Sequence, residues 1–368
     1  MKVVYIGNYK DGTGWANACI NNILALDSAG VNVVPRAIKF NGGDAEVPSR
    51  ILELESDTSL GSDVCIQHTL PHLYVYDRRF KNIGFYVTET HSFSDSMWQK
   101  SINLMDEAWV PNKQMVKASQ RSGVKVPIKI APHSLDISKY ENVESTANAP
   151  ELEGTFNFCF VGEMGKRKNI EALLRAFHTE FHPSEPVNIL FKVHKSGYGS
   201  DQSLSLFRDL SEHVKRSLKT GKKYKEEVVI AGYLEHQHLH SLMKQAHCFV
   251  MPSFGEAWCI PAMEAMALGM PVIYTQGTGM DDFCVGFPVK STLQPCYEAT
   301  DTLDTLYTAD SKWMEPDVSD LAAKMRLVYQ QYTTNKKSYD DLCENAKHGA
   351  SSYDTAIIGR QLKELLDG

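Results

Sequence analysis

No apolar run in this chain approaches the roughly 18 residues that a membrane-spanning helix needs, so no integral membrane segment is expected. No two cysteines are spaced C-x-x-C. The eight that exist are scattered and give no disulfide framework. Cys65, Cys159 and Cys248 fall in strand-like apolar runs, where a free thiol behaves as a small hydrophobe. That usage fits a reducing compartment, and a cytoplasmic protein is expected. Low-complexity tracts and fixed-period repeats are also missing. The net charge of −7 carries no electrostatic footprint for nucleic acid. One basic run, Lys215, Arg216, Lys219, Lys222, Lys223 and Lys225, has acidic ends and reads as a solvated helix face. The opening "MKVVYIGNYKDG" turns polar after six residues, as a first strand does and a signal peptide does not.

What is present is ordinary globular composition, 43% apolar and 23% charged, over 368 residues, a length that suggests two domains. Strand-like runs alternate with helical ones. "KVVYIG", "VNVVPRAI", "SDVCIQHT", "NIGFYVT", "EAWVPN" and "IKIAPHS" read as strands. "GWANACINNILALDSAG", closed by Gly30, "SFSDSMWQKSINLM" and "KQMVKASQRSG" read as helices. The polar stretch "YENVESTANAPELEGT" reads as a linker, after which the alternation restarts with "FNFCFVG", "NIEALLRAFHTEF", "VNILFKVH", "EEVVIAGYL", "CFVMPS" and "PVIYT". Such alternation predicts parallel, doubly wound sheets. The expected domains are 1–145 and 154–335, with a closing helical segment 336–368 that packs back on the first. Two such domains would face one another across a cleft, with ligands at the carboxyl ends of the strands.

Three strand-end loops carry the chemistry. In "GNYKDGTGWANA", Gly12 and Gly14 free the backbone to approach a ligand, and the following helix offers N–H donors to an anion. Asn17 at the third glycine position departs from a dinucleotide fingerprint. In "FVGEMGKRKNIEALL", Lys166, Arg167 and Lys168 precede a helix N-terminus, where the dipole is already positive. Three cations there are unfavourable without an anion, so this turn is a candidate phosphate site. In "FGEAWCIPAMEAMALGMPVI", Glu256 stands at the loop mouth and Glu264 in the helix behind it. Backbone N–H groups near Ala257, Trp258 and Cys259 lie at a helix start opened by Pro261. Glu264 is surrounded by Ala262, Met263, Ala265, Met266, Ala267 and Leu268, a helix apolar on nearly every side and therefore buried. A carboxylate there needs a partner or a ligand, and two ribose hydroxyls would serve.

The Glu-x7-Glu block in "PSFGEAWCIPAMEAMALGMPVI", behind "FVGEMGKRKN", resembles the retaining nucleotide-sugar glycosyltransferases of family 4, the group 1 glycosyl transferases, which have the GT-B fold. "GFYVTETHSFSDSMW", "DEAWVPNKQMVKASQRSGVKVPIKIAPHSLD" and "WMEPDVSDLAAKMRLVY" are similar too. The resemblance implies an α/β protein of two doubly wound Rossmann-like domains, the first serving the acceptor and the second the donor. It implies transfer of a sugar from a nucleoside-diphosphate sugar to an acceptor hydroxyl, with retention and without a cofactor. Glu264 would bind the donor ribose and Glu256 the transferred sugar, helped by the amides of Ala257, Trp258 and Cys259. Lys168 would contact the diphosphate. The family's arginine after the strand glycine is replaced here by Glu163, so Arg167 or Lys166 would supply that charge. Gly14 and Trp15 match the loop that approaches the diphosphate, and Glu89 and His133 match positions near the acceptor side, where His91 is a further candidate. The chain has no Asp-x-Asp, the usual divalent-cation site of the other major glycosyltransferase fold, and no catalytic metal is expected.

Two rival functions share this architecture, a sugar-nucleotide 2-epimerase and a binding protein without turnover. The epimerase has no reason to carry Glu-x7-Glu, and Glu163 is the feature that favours the binder. The acceptor is open among a glycan, a lipid-linked intermediate, a small metabolite, a protein and a modified nucleobase. "EHQHLH" invites a metal reading, but His236, His238 and His240 cannot all share one helix face, and a surface helix is expected. His68 and His72 are isolated histidines that would line the acceptor side or serve structure alone.

Overall fold

A computed structural model describes residues 1–40, 45–146, 149–219, 221, 223–299 and 306–368. Lys222 of the basic run lies outside them. Along the chain come β1 (Lys2–Gly7), α1 (Gly14–Ser28), β2 (Asn32–Ala37), α2 (Ser49–Glu55), β3 (Val64–His68), β4 (Lys81–Phe85), α3 (Trp98–Ile102), β5 (Glu107–Val110), α4 (Lys113–Arg121) and β6 (Ile128–Ile130). Then follow β7 (Phe156–Glu163), α5 (Ile170–Glu180), β8 (Val187–His194), α6 (Ser200–Leu218), β9 (Val228–Ala231), α7 (His236–Met243), β10 (Cys248–Met251), α8 (Ile260–Ala267) and β11 (Val272–Thr275). The last elements are β12 (Gly286–Val289), β13 (Ser291–Pro295), β14 (Lys312–Pro316), α9 (Val318–Thr334), α10 (Lys336–Ser351) and α11 (Thr355–Asp367).

The chain divides into two compact units, Met1–Ile137 with Ser352–Gly368, and Ser138–Ser351. The first holds a six-stranded parallel sheet of order β2-β1-β3-β4-β5-β6. The second holds another, of order β12-β11-β10-β7-β8-β9, and β13 pairs antiparallel with β14. Strands such as "VVY", "VCI", "FCF" and "ILF" are buried on both faces, which is why they read as continuous apolar runs. Relabelled from its own first strand, the second sheet has the order 3-2-1-4-5-6 of dinucleotide-binding folds. Its strand order reverses between β7 and β10; in the first sheet the reversal falls between β1 and β3. In open sheets of this kind, such reversals are where ligands bind, beyond the strand carboxyl ends.

In the first unit, Ile358, Leu362 and Leu366 of α11 are buried at helical spacing in the core with Ile23 and Leu26 of α1. A Cβ at Gly359 would stand 2.1 Å from the carbonyl oxygen of Ala25, so only glycine lets α11 approach α1 this closely. The helix expected over "SFSDSMWQKSINLM" shrinks to five residues. The Ser96 hydroxyl donates to the Phe93 carbonyl (2.7 Å) and accepts from the Trp98 amide (3.2 Å), side-chain bonds that compete with a helical start. Within the stretch read as a linker, Tyr140, Ala149 and Leu152 are buried. All eight cysteines are free, and no helix among the described residues is long and apolar enough to cross a membrane.

Candidate active site

The loops after β7 and β10 meet at the reversal of the second sheet. After β7 a single 3-10 turn, Lys166–Lys168, ends at Asn169, whose backbone is left-handed (φ 53°) and whose side chain caps α5 through the Ala172 amide. This turn aims two of its three cations, Arg167 and Lys168, at the loop after β10. Lys168 Nζ lies 2.7 Å from Glu256 Oε1, and Arg167 Nη1 lies 3.0 Å from the same oxygen. Arg167 also donates to the Gly255 carbonyl at 2.7 Å, and its own carbonyl accepts from the Phe254 amide at 2.8 Å. The two loops are thus tied by backbone as well as charge. The Glu256 carbonyl accepts from the Gly279 amide, which fixes the loop from its other side.

Glu256 is not at an open mouth, as the sequence suggested; only 6% of it is exposed, and Ala257, Trp258 and Cys259 are buried with it. Burial pushes the Glu256 carboxyl up, but the Lys168 and Arg167 cations outweigh that and hold it below the ordinary carboxylate range. Trp258 stacks on Phe283 with ring centroids 4.7 Å apart. Cys259 sits at φ 80°, a strained conformation for a side-chain-bearing residue, immediately before α8. Burial raises its thiol to about 12, so it is no nucleophile at neutral pH.

Lys166 turns elsewhere. It pairs with exposed Glu298 and lies 5.9 Å from the Phe254 ring, which itself stacks on Trp313. Glu163 accepts from the Ser196 amide at 3.2 Å. Glu264, 6% exposed on α8, has a separate set of neighbours: the Tyr140 hydroxyl donates to its Oε1 at 3.1 Å, and His240 Nε2 lies 3.4 Å away. Sequence reasoning missed both partners. Tyr140 is 124 residues distant in the chain, and no local signal marks it.

In the first unit, Gly12 has φ 68°, and Thr13 caps α1 by accepting from the Ala16 amide. Gly14 opens the helix and Trp15 follows, its ring 6.2 Å from that of His68. His68 is fully buried; it bonds Tyr5 Oη at 2.6 Å and stacks on Phe85 at 4.1 Å. His133 is buried beside it, rings 5.6 Å apart, and its Nδ1 accepts from the Asn22 amide at 3.1 Å. Burial lowers His68 well below its ordinary value, helped by His133, and lowers His133 to about 3. Trp15 Nε1, His68 Nε2 and Thr69 Oγ1 are buried polar atoms without a hydrogen-bond partner. His91 bonds Arg121, and Glu89 is half-buried on the loop after β4.

Residues 155–291 match the family described as glycosyl transferases group 1. The chain is 30% identical over 123 residues to the O-antigen chain mannosyltransferase B of Escherichia coli, covering 33% of this chain and 29% of that protein. It is 24% identical over 281 residues to the serotype-specific mannosyltransferase WbdA of Escherichia coli, covering 70% of this chain and 31% of that one. This chain therefore matches under a third of the length of either relative. Among solved structures, Anabaena Alr3699/HepE in complex with UDP and glucose superposes with a TM-score of 0.67 at 14% identity, over 100% of this chain and 99% of that one. The sucrose-phosphate synthase of Thermosynechococcus elongatus gives 0.64 at 15%, over 100% and 98%. At such identities the likeness is one of fold, and that fold is GT-B.

Proposed function

We propose that this chain, whose residues 155–291 match the glycosyl transferases group 1, transfers a sugar from a nucleoside-diphosphate sugar to an acceptor hydroxyl, with retention of configuration. The observation that carries this reading is the convergence of Lys168 and Arg167 on one oxygen of Glu256, at the strand reversal where such sheets bind nucleotides. The pair of cations suits a diphosphate. As the glycosidic bond breaks, negative charge grows on the leaving group, and fixed cations stabilise it. Arg167 stands beside Lys168 and takes the place of the arginine that Glu163 replaces. Glu163 is engaged by the Ser196 amide.

In this reading Glu256 positions the transferred sugar, aided by the loop amides of Ala257, Trp258 and Cys259, while Glu264 accepts from the ribose hydroxyls. Tyr140 already holds the Glu264 carboxylate in orientation. Within the first unit, Gly14 and Trp15 lie at the strand reversal, and the orphaned polar atoms of Trp15, His68 and Thr69 suit a hydroxyl-rich ligand. Glu89, His91 and His133 serve the acceptor side. Lys166 is peripheral. The two charged side chains supply the electrostatics, so catalysis needs neither metal nor cofactor. The relatives' names favour a saccharide acceptor and nucleoside-diphosphate mannose or glucose as the donors to try first. Eight free thiols favour a cytoplasmic setting.

The test is release of nucleoside diphosphate from a panel of nucleotide sugars, with and without oligosaccharide acceptors and with EDTA throughout. Acceptor-dependent release and a product whose anomeric proton shows retention are expected. Release that requires added divalent cation, or an inverted product, contradicts the mechanism. Epimerised donor without release contradicts transfer itself.

A further inference from the structure

We infer that His236, His240 and Glu264 form a binding site for a divalent first-row transition metal ion, separate from any role in catalysis. The donor atoms of these three side chains all lie within 4.8 Å of one another. His236 and His240 stand four residues apart on α7, one above the other on a single helix face, with ring centroids 6.0 Å apart. The sequence pattern hides the site because its third histidine is a decoy. His238 points off that face, 73% exposed, beside Glu235. The third ligand comes instead from α8.

One of the three ligand pairs already stands at the spacing of a tetrahedral ion. Ligand atoms about 2.0–2.1 Å from zinc sit about 3.3–3.4 Å apart, and His240 Nε2 lies 3.4 Å from Glu264 Oε1. His240 and Glu264 are buried and fixed, whereas His236 is exposed and closes onto the ion by a side-chain rotation. Two imidazoles and a carboxylate suit zinc, nickel, cobalt or copper over magnesium or calcium. Tyr140 donates to the coordinating carboxylate oxygen at 3.1 Å and packs on His240 with centroids 4.6 Å apart, the outer-shell support that orients metal ligands.

The site has a consequence that does rest on the function proposed above. A metal on Glu264 occupies the carboxylate assigned to the ribose, so zinc should exclude the nucleotide.

Zinc chloride is titrated calorimetrically into the reduced full chain and four variants. One equivalent is expected in the wild type. His236→Ala, His240→Ala and Glu264→Gln should each weaken it by about 10–100-fold or more, and His238→Ala should leave it unchanged. His236→Ala removes an exposed side chain, so its fold is secure. Absence of saturable binding, or binding that survives in both His236→Ala and His240→Ala, overturns the site and assigns any zinc to thiols. Nucleoside diphosphate affinity is then measured at saturating zinc, with His236→Ala as the control for zinc chelated by the nucleotide in solution. A fall confined to the wild type is expected. Histidine-dependent zinc binding with unchanged nucleotide affinity upholds the metal site and overturns the ribose assignment of Glu264.

Discussion

Replacing Lys168 with alanine removes the closer of the two cations from Glu256 and should affect stability and turnover together. At 2.7 Å and an effective dielectric of about 20, the gross attraction is about 6 kcal/mol. Much of that offsets the cost of burying both charges. Arg167 remains at 3.0 Å, so the carboxylate is not abandoned. The net loss should be that of one charge-assisted hydrogen bond, about 1.5–3 kcal/mol. The carboxyl of Glu256 is held below its ordinary range. A depressed pKa stabilises the fold above the ordinary carboxylate pKa, and that stability is lost as pH falls through the folded value. The gap between wild type and Lys168→Ala should therefore be full at pH 7 and close as the solution is acidified through the carboxylate range. Turnover at pH 7 should fall by about 10²–10³, as for other preorganised donors to a leaving group. Lys166→Ala, whose partner is the exposed Glu298, should keep both stability and most activity. Urea denaturation across pH and single-turnover rates are the assays. Equal effects in the two variants, or a stability gap indifferent to pH, would refute the reasoning.

Three further outcomes are expected. Glu264→Gln should keep the fold and weaken nucleoside diphosphate binding by about 10–100-fold, the loss of a charge-assisted hydrogen bond, measured by calorimetry. His133 is lowered to about 3 and His68 well below its ordinary value, so the unfolded chain binds more protons and stability should decline as pH drops from about 6.5 toward 3. His133→Phe should flatten that decline in acid-denaturation curves, and an unaltered slope would count against it. Gly359→Val should destabilise the first unit by several kcal/mol, since its side chain meets the Ala25 carbonyl; an unchanged urea midpoint would mean that α11 is not seated as described.

The alternation of strand and helix was legible because each parallel strand is buried on both faces and reads as an unbroken apolar run, as in "FNFCFVG" and "VNILFKVH". The hairpin of β13 and β14 was not, because "STLQP" and "KWMEP" are partly exposed and carry no such run. The shortening of α3 lies in serine hydroxyls that bond the backbone locally, a choice that apolar spacing does not record. Of the site, Lys168 was legible as a type out of place, a cation at a positive helix end, and Glu256 through the Glu-x7-Glu block. Their mutual pairing was not legible, since it joins residues 88 positions apart. Nor was the seclusion of Glu256, nor the pairing of Glu264 with Tyr140 and His240, which only the packing of α7 against α8 and the chain before β7 brings together.

The central claim is that the two glutamates of the Glu-x7-Glu block hold different parts of one nucleotide sugar. Calorimetry of UDP, GDP and ADP against the wild type, Glu256→Ala and Glu264→Ala tests it most directly. One nucleoside diphosphate should bind the wild type, bind Glu256→Ala about as well, and bind Glu264→Ala poorly, while the intact donor reacts poorly with Glu256→Ala because the anomeric carbon is no longer positioned. Loss of diphosphate affinity in Glu256→Ala as severe as in Glu264→Ala, or binding of no nucleoside diphosphate at all, would contradict the account.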